Sequence, residues 1–205
     1  RVAIILLNLG GPDSLGAVRP FLFNLFNDKA IVGLPQPLRF LLAQLISRTR
    51  EKSAKANYAL MGGRSPILLE TEKQARALTA AISGRVSNVS FRCFPAMRYW
   101  RPFVKDAAKA AEAWGATDAV LLPLYPQYSR STAESVRDML GSKVKMIESF
   151  HDHPAYIAAQ VALIQRHWAA HGKAKLVMSF HGLPQRAVEI AVVAFLVRRA
   201  DRSEE

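Results

Sequence analysis

Short apolar runs, rich in β-branched residues, alternate along this chain with longer segments of helical period. That alternation limits the fold more than any other feature. Val2 to Leu9 is the first run, closed by Gly10-Gly11-Pro12. Val89 to Phe94, Ala119 to Leu124, Val144 to Ile147 and Leu176 to Phe180 follow. Runs of this length between turn residues read as buried strands. Between the first two, Leu15, Val18, Leu22, Leu25 and Phe26 share one helical face, with Asp13 or Ser14 as cap and Pro20 expected to kink or restart the helix. Leu38, Leu41, Leu42, Leu45 and Ile46 keep the same spacing. Ser65 then Pro66 marks a helix start, because serine caps free N–H groups and proline loses nothing at the first helical position. That helix is predicted to run to Ser83 and stop at Gly84. Further helices are predicted over Phe103 to Trp114, from the capping box of Ser131 and Glu134 to Gly141, over Tyr156 to His171, and over Gln185 to Arg199. Strands alternating with helices dictate a parallel sheet covered on both faces. Ligands bind such sheets at the C-terminal ends of the strands.

Half of the 205 residues are hydrophobic, enough for a sizeable core and too many for a disordered tail. No apolar run approaches the roughly 20 residues that a membrane span requires. Leu34 to Ile46 comes nearest, but Pro35, Gln36, Pro37, Arg39 and Gln44 break it. The apolar start is too short for a signal peptide and lacks its cleavage site. The formal charge of +12 is spread along the chain, densest at Arg48, Arg50, Lys52 and Lys55. No basic-aromatic module accompanies it, so we expect a solvated basic surface and no nucleic-acid partner. Cys93 is the one cysteine, which excludes an internal disulfide and any Cys-ligated cluster and suits a cytoplasmic location.

Four loops should meet at the crest of the sheet: Asn8 to Ser14, Pro95 to Trp100, Tyr125 to Ser129, and His181 to Pro184. The first lacks the G-x-G-x-x-G spacing of dinucleotide sites and reads as a tight turn. His181 ends the last strand, where an imidazole can ligate a divalent metal or accept a proton near neutral pH. His151, Asp152 and His153 look like a metal cluster, but they precede Pro154 and a helix, so a capping role is preferred. His167 and His171 are spaced i, i+4 without the glutamate of a zinc-protease motif. Trp100, Trp114 and Trp168 read as packing residues.

Six stretches resemble the ferrochelatase family and occur in its order over residues 1 to about 186. They are Leu7-Asn8-Leu9-Gly10-Gly11-Pro12, Val18-Arg19-Pro20-Phe21-Leu22 through Phe26, Gly62-Gly63-Arg64-Ser65-Pro66-Ile67, Met97-Arg98-Tyr99, Tyr125-Pro126-Gln127-Tyr128-Ser129 and Ser179-Phe180-His181-Gly182-Leu183-Pro184. The resemblance implies a chelatase-like α/β fold, a Rossmann-like parallel sheet with helices on both faces. It implies a lyase that inserts Fe²⁺ into protoporphyrin IX and releases two protons, the last step of haem synthesis. His181 matches the family's catalytic histidine, the metal ligand and pyrrole-proton acceptor. Arg50, Tyr58 and Ser65 match porphyrin contacts, and Leu9, Arg98, Tyr99 and Gln127 fall in stretches that line the pocket. Iron is then substrate, no cofactor is held permanently, and no iron–sulfur cluster is expected, since Arg130 stands where some relatives carry a cluster cysteine.

Residues 187–205 do not follow the family pattern and are expected to form a non-matching tail beyond an N-terminal domain of residues 1–186. The second half-domain of the family, with a glutamate facing the histidine, is expected to be missing through a frameshift, a premature stop or a fragmentary gene model. Two alternatives stay open beside iron insertion. One is a fragment that holds porphyrin or metal without turnover. The other is a related chelatase acting on coproporphyrin or with cobalt. The apolar face from Leu38 to Ile46, next to Arg48, Arg50, Lys52 and Lys55, also suits peripheral contact with an anionic inner-membrane surface.

Overall fold

The first apolar run becomes the central strand of a sheet. The computed structural model describes residues 1–127 and 145–172, together with Lys175 and Val177. Strand β1 spans Val2–Asn8, and Ala3 through Leu7 are all buried, as a run flanked by protein on both sides requires. It pairs in parallel with β2 (Phe91–Met97) on one side and β3 (Asp118–Pro123) on the other. A two-residue strand β4 (Lys145–Met146) adds to β3, also parallel, giving the order β2-β1-β3-β4.

The helices are α1 (Val18–Phe26), α2 (Gln36–Leu60), α3 (Ile67–Ser83), α4 (Val104–Ala113) and α5 (Pro154–His171). Parallel register puts paired residues on the same face of the sheet. Ile4, Leu6 and Cys93 therefore pack with Ala75 of α3 and its partly buried neighbours Leu78 and Ile82. Ala3, Ile5, Leu7, Phe94, Ala96 and Leu121 pack with Val104, Ala107 and Ala111 of α4 on the other face. This is the α/β sheet with helices on both faces that the alternation predicts.

Two compact units divide the chain: Arg1–Leu124 with Arg130–Ile147, and Tyr125–Ser129 with Glu148–Glu205. The first contains the sheet. In the second, His153 caps α5 by accepting from the Ala155 N–H at 3.2 Å, so the preferred reading of the His151 to His153 stretch holds for His153. Phe150 and Tyr156 meet edge to face with ring centroids 5.3 Å apart. Among the described residues no three His, Cys, Asp or Glu side chains gather as a metal site, and no helix is long and apolar enough to cross a membrane.

Three expectations need correction. A 3-10 turn over Leu15–Ala17 precedes α1, and the Ser14 side chain does not cap it. Pro20 thus falls in the first turn of α1, where its missing N–H costs no bond. Helix α2 is longer than the Leu38 to Ile46 pattern indicates, and it turns leucines of that pattern outward. Leu38, Leu41 and Leu45 are 56, 64 and 59% exposed, whereas Ala43 and Ser47 are fully buried. Small residues let α2 pack close to α1. The second strand is shifted towards the crest, to Phe91–Met97, because its ladder with β1 continues to the end of that strand. The expected helix from Ser131 to Gly141, the strand at Leu176 to Phe180 apart from Val177, the helix from Gln185 to Arg199, and His181 itself lie outside the described residues.

Candidate active site

The C-terminal ends of β1 and β2 carry a cluster of sequence-predicted residues. The ladder runs one step beyond each strand: Arg98 N–H donates to Asn8 O and Tyr99 N–H to Leu9 O, both at 3.0 Å. Parallel pairing thus brings Leu9, Arg98 and Tyr99 together from stretches far apart in sequence. Asn8 closes β1 with its side chain. Its Oδ1 accepts from the Leu9 N–H at 2.9 Å, and its Nδ2 donates to Thr71 Oγ1 at 3.0 Å. Thr71, fully buried on α3, donates in turn to Ile67 O at 2.7 Å.

The turn after β1 is compressed. Gly10 has φ of +86°, a left-handed conformation that favours glycine, and a Cβ there would lie 3.0 Å from Met97 Cβ. A Cβ on Gly11 would lie 2.5 Å from Ser65 Oγ. The Ser65 N–H donates to Pro12 O at 2.8 Å, and its Oγ accepts from the Ile67 N–H at 3.3 Å. Ser65 thus stands one residue earlier than the cap position, which Pro66 takes, and is the close neighbour of the crest loop.

Beside this turn lies an apolar cluster of Val18, Phe21, Leu22 and Tyr99. Leu9, Leu25, Phe26, Tyr58 and Trp100 pack against it. Tyr99 is 3% exposed, and burial pushes its phenol well above the usual range, so it stays a hydrogen-bond donor at neutral pH. Burial raises the Tyr58 phenol as well. Arg50 reaches from α2 over the Phe26 ring at 5.7 Å, a cation–π contact at the edge of the apolar cluster.

Arg98 does not stand as a free cation. Its Nε and Nη2 donate to Asp28 Oδ2 at 2.8 and 2.5 Å, and the Tyr99 hydroxyl donates to the same oxygen at 2.8 Å. Burial opposes ionisation of Asp28, but the Ala30 N–H, Tyr99 and Arg98 outweigh it and hold the carboxyl below its ordinary value. Asn24 Nδ2 donates to Tyr99 O at 3.1 Å. Asn24, Asp28, Arg98 and Tyr99 line a cavity of about 550 Å³, with Phe103 and Lys105 at the start of α4.

Leu9, Arg50, Tyr58, Ser65, Arg98 and Tyr99 all fall in the first unit, around the ends of β1 and β2 and the helices beside them. Gln127 is exposed and belongs to the second unit. The sequence reading missed Asp28. One signal was available: an acid just past the C-terminal end of a helix opposes the helix dipole, so it needs a partner.

Comparisons with known proteins point to one family. The ferrochelatase family model matches residues 1–192. A ferrochelatase from Phenylobacterium zucineum (strain HLK1) is 50% identical over 198 residues, covering 92% of this chain and 58% of that protein. One from Caulobacter vibrioides (strain NA1000 / CB15N) is 47% identical over 197 residues, covering 92% of this chain and 57% of that protein. A ferrochelatase of Wolbachia sp. subsp. Drosophila simulans (strain wRi) is 40% identical over 229 residues, covering 99% of this chain and 72% of that protein. The chain thus spans a little over half the length of the first two.

Proposed function

We propose a function from one premise: this chain belongs to the ferrochelatase family, a family of lyases. The function is insertion of Fe²⁺ into protoporphyrin IX to form haem, with this chain supplying the N-terminal part of the site. The observation that carries it is the apolar wall at the ends of β1 and β2, built from Leu9, Tyr58 and Tyr99 and bordered by the Arg50 guanidinium. A porphyrin is a large apolar disc with two propionates on one edge. It calls for an apolar wall and a cation at its border.

In this reading iron is a substrate, not a resident cofactor. His181 binds the incoming ion and accepts pyrrole protons, two of which leave as the ion enters. Tyr58 contacts the ring, Arg50 and Ser65 serve the polar edge, and Leu9, Arg98, Tyr99 and Gln127 complete the lining. A neutral imidazole beside the ring suits proton removal near neutral pH. The test mixes the chain with protoporphyrin IX and Zn²⁺ and follows porphyrin fluorescence, with His181→Ala alongside. Zinc porphyrin formation that His181→Ala abolishes is the expected result, and insertion at an equal rate in both chains would remove His181 from the chemistry.

A second reading is that the chain, which spans just over half the length of relatives 50 and 47% identical to it, holds porphyrin without turning it over. Binding without zinc insertion in the same assay would select that reading. Coproporphyrin and Co²⁺ offered in parallel separate the related chelatases. The outward-facing Leu38, Leu41 and Leu45 also support peripheral contact with an anionic membrane. Cosedimentation with anionic vesicles is expected at low salt and should fall when Leu41 and Leu45 are both changed to Ser. Unchanged sedimentation of that variant would dismiss the surface.

A further inference from the structure

Asp28 lies two residues beyond α1, where its charge faces the negative end of the helix dipole. Arg98 and Tyr99 hold it there. Three hydrogen bonds converge on Oδ2, and the Ala30 N–H donates to Oδ1 at 2.8 Å. Both side chains of the ion pair are mostly buried, Arg98 at 12% and Asp28 at 14% exposure. The pairing uses two of the three guanidinium nitrogens and fixes the guanidinium plane. The third, Nη1, is buried and has no hydrogen-bond partner among the described residues.

We propose that Asp28 is a positioning residue of the porphyrin site: it clamps Arg98 and Tyr99 in one orientation and directs the part of the Arg98 guanidinium that stays accessible toward an acceptor atom of the bound tetrapyrrole. The proposal rests on the reading above that Arg98 and Tyr99 line that site. It also changes what Arg98 does there. With its charge matched by Asp28, the guanidinium works as an aimed donor and not as a free attractor of propionates. The two roles differ in sign when the carboxylate is removed. A freed cation would draw an anionic porphyrin more strongly, and a donor that has lost its clamp would hold it less well.

The experiment titrates the full chain with protoporphyrin IX by fluorescence, using wild type, Asp28→Asn, Arg98→Lys and the double variant, with thermal melting as the check on folding. Asp28→Asn and Arg98→Lys are each expected to weaken binding about tenfold, with the double variant no worse than either, because both remove one directed hydrogen bond. The Arg98 Nε–H resonance should exchange slowly with solvent in wild type and lose that protection in Asp28→Asn. Equal or tighter binding by Asp28→Asn, with Arg98→Lys weakened, would overturn the positioning role and leave the functional reading standing. Wild-type affinity in Arg98→Lys would instead remove Arg98 from the porphyrin site, and the positioning role with it. If Asp28→Asn melts below the assay temperature, Tyr99→Phe takes its place. It keeps the ring, removes one bond to Oδ2, and should weaken binding about threefold; unchanged affinity there overturns the proposal.

Discussion

Protonating Asp28 should loosen the crest before it disturbs the sheet. Its carboxyl titrates below the ordinary value of 3.8, because the Ala30, Tyr99 and Arg98 donors together outweigh its burial. A carboxyl whose folded pKa is depressed contributes its full stability above the unfolded value and loses it as pH falls through the folded one. Asp28→Asn is therefore expected to be about 2 kcal/mol less stable than wild type at pH 7, the scale of a hydrogen bond to a charged group. The difference should be constant above the unfolded value, begin to narrow below about pH 4 in urea melts, and close as pH falls through the lower folded value. A gap that does not narrow with acidification would assign the loss to packing instead. Tyr99 does not complicate this window, since burial keeps its phenol protonated far above it.

The junction of β1 and α3 turns on Thr71, which accepts from Asn8 and donates within its own helix. Thr71→Val keeps the shape but leaves the Asn8 amide without that acceptor, and should cost about 1–2 kcal/mol in chemical denaturation. Thr71→Ser should retain most of the stability; a loss in Thr71→Ser with none in Thr71→Val would mean that the methyl group carries the effect. Most elements were legible in the sequence because their signals are local. Apolar runs marked the strands, Ser65-Pro66 marked the start of α3, and Gly84 and Gly115 marked two helix ends. The direction of α2 was not legible. The same leucine spacing fits a stripe turned inward or outward, and only packing through Ala43 and Ser47 decides it. At the site, motif stretches named Leu9, Arg98 and Tyr99, but their meeting depends on strand pairing that no local window contains. Asp28 escaped notice for the same reason, since its partner Arg98 lies 70 residues away.

Stability across the molecule should be uneven. The residues of β1 from Ala3 to Leu7 are buried and bonded on both edges, whereas α5 buries no residue fully and exposes Ile157 and Val161. Amide exchange is expected to be slowest in β1, near the limit of global unfolding, and far faster along α5. Comparable protection in the two would show that α5 is held by more than its own helix. The position of β1 has a further consequence, in time. The strand at the centre of the sheet leaves the ribosome well before its partners: Val2 pairs with Phe91 and with Asp118. At ordinary rates of synthesis, about 5–20 residues per second, several seconds pass before either neighbour exists. Throughout that interval this apolar strand has both edges open, a nascent segment that a chaperone at the exit tunnel is suited to shelter.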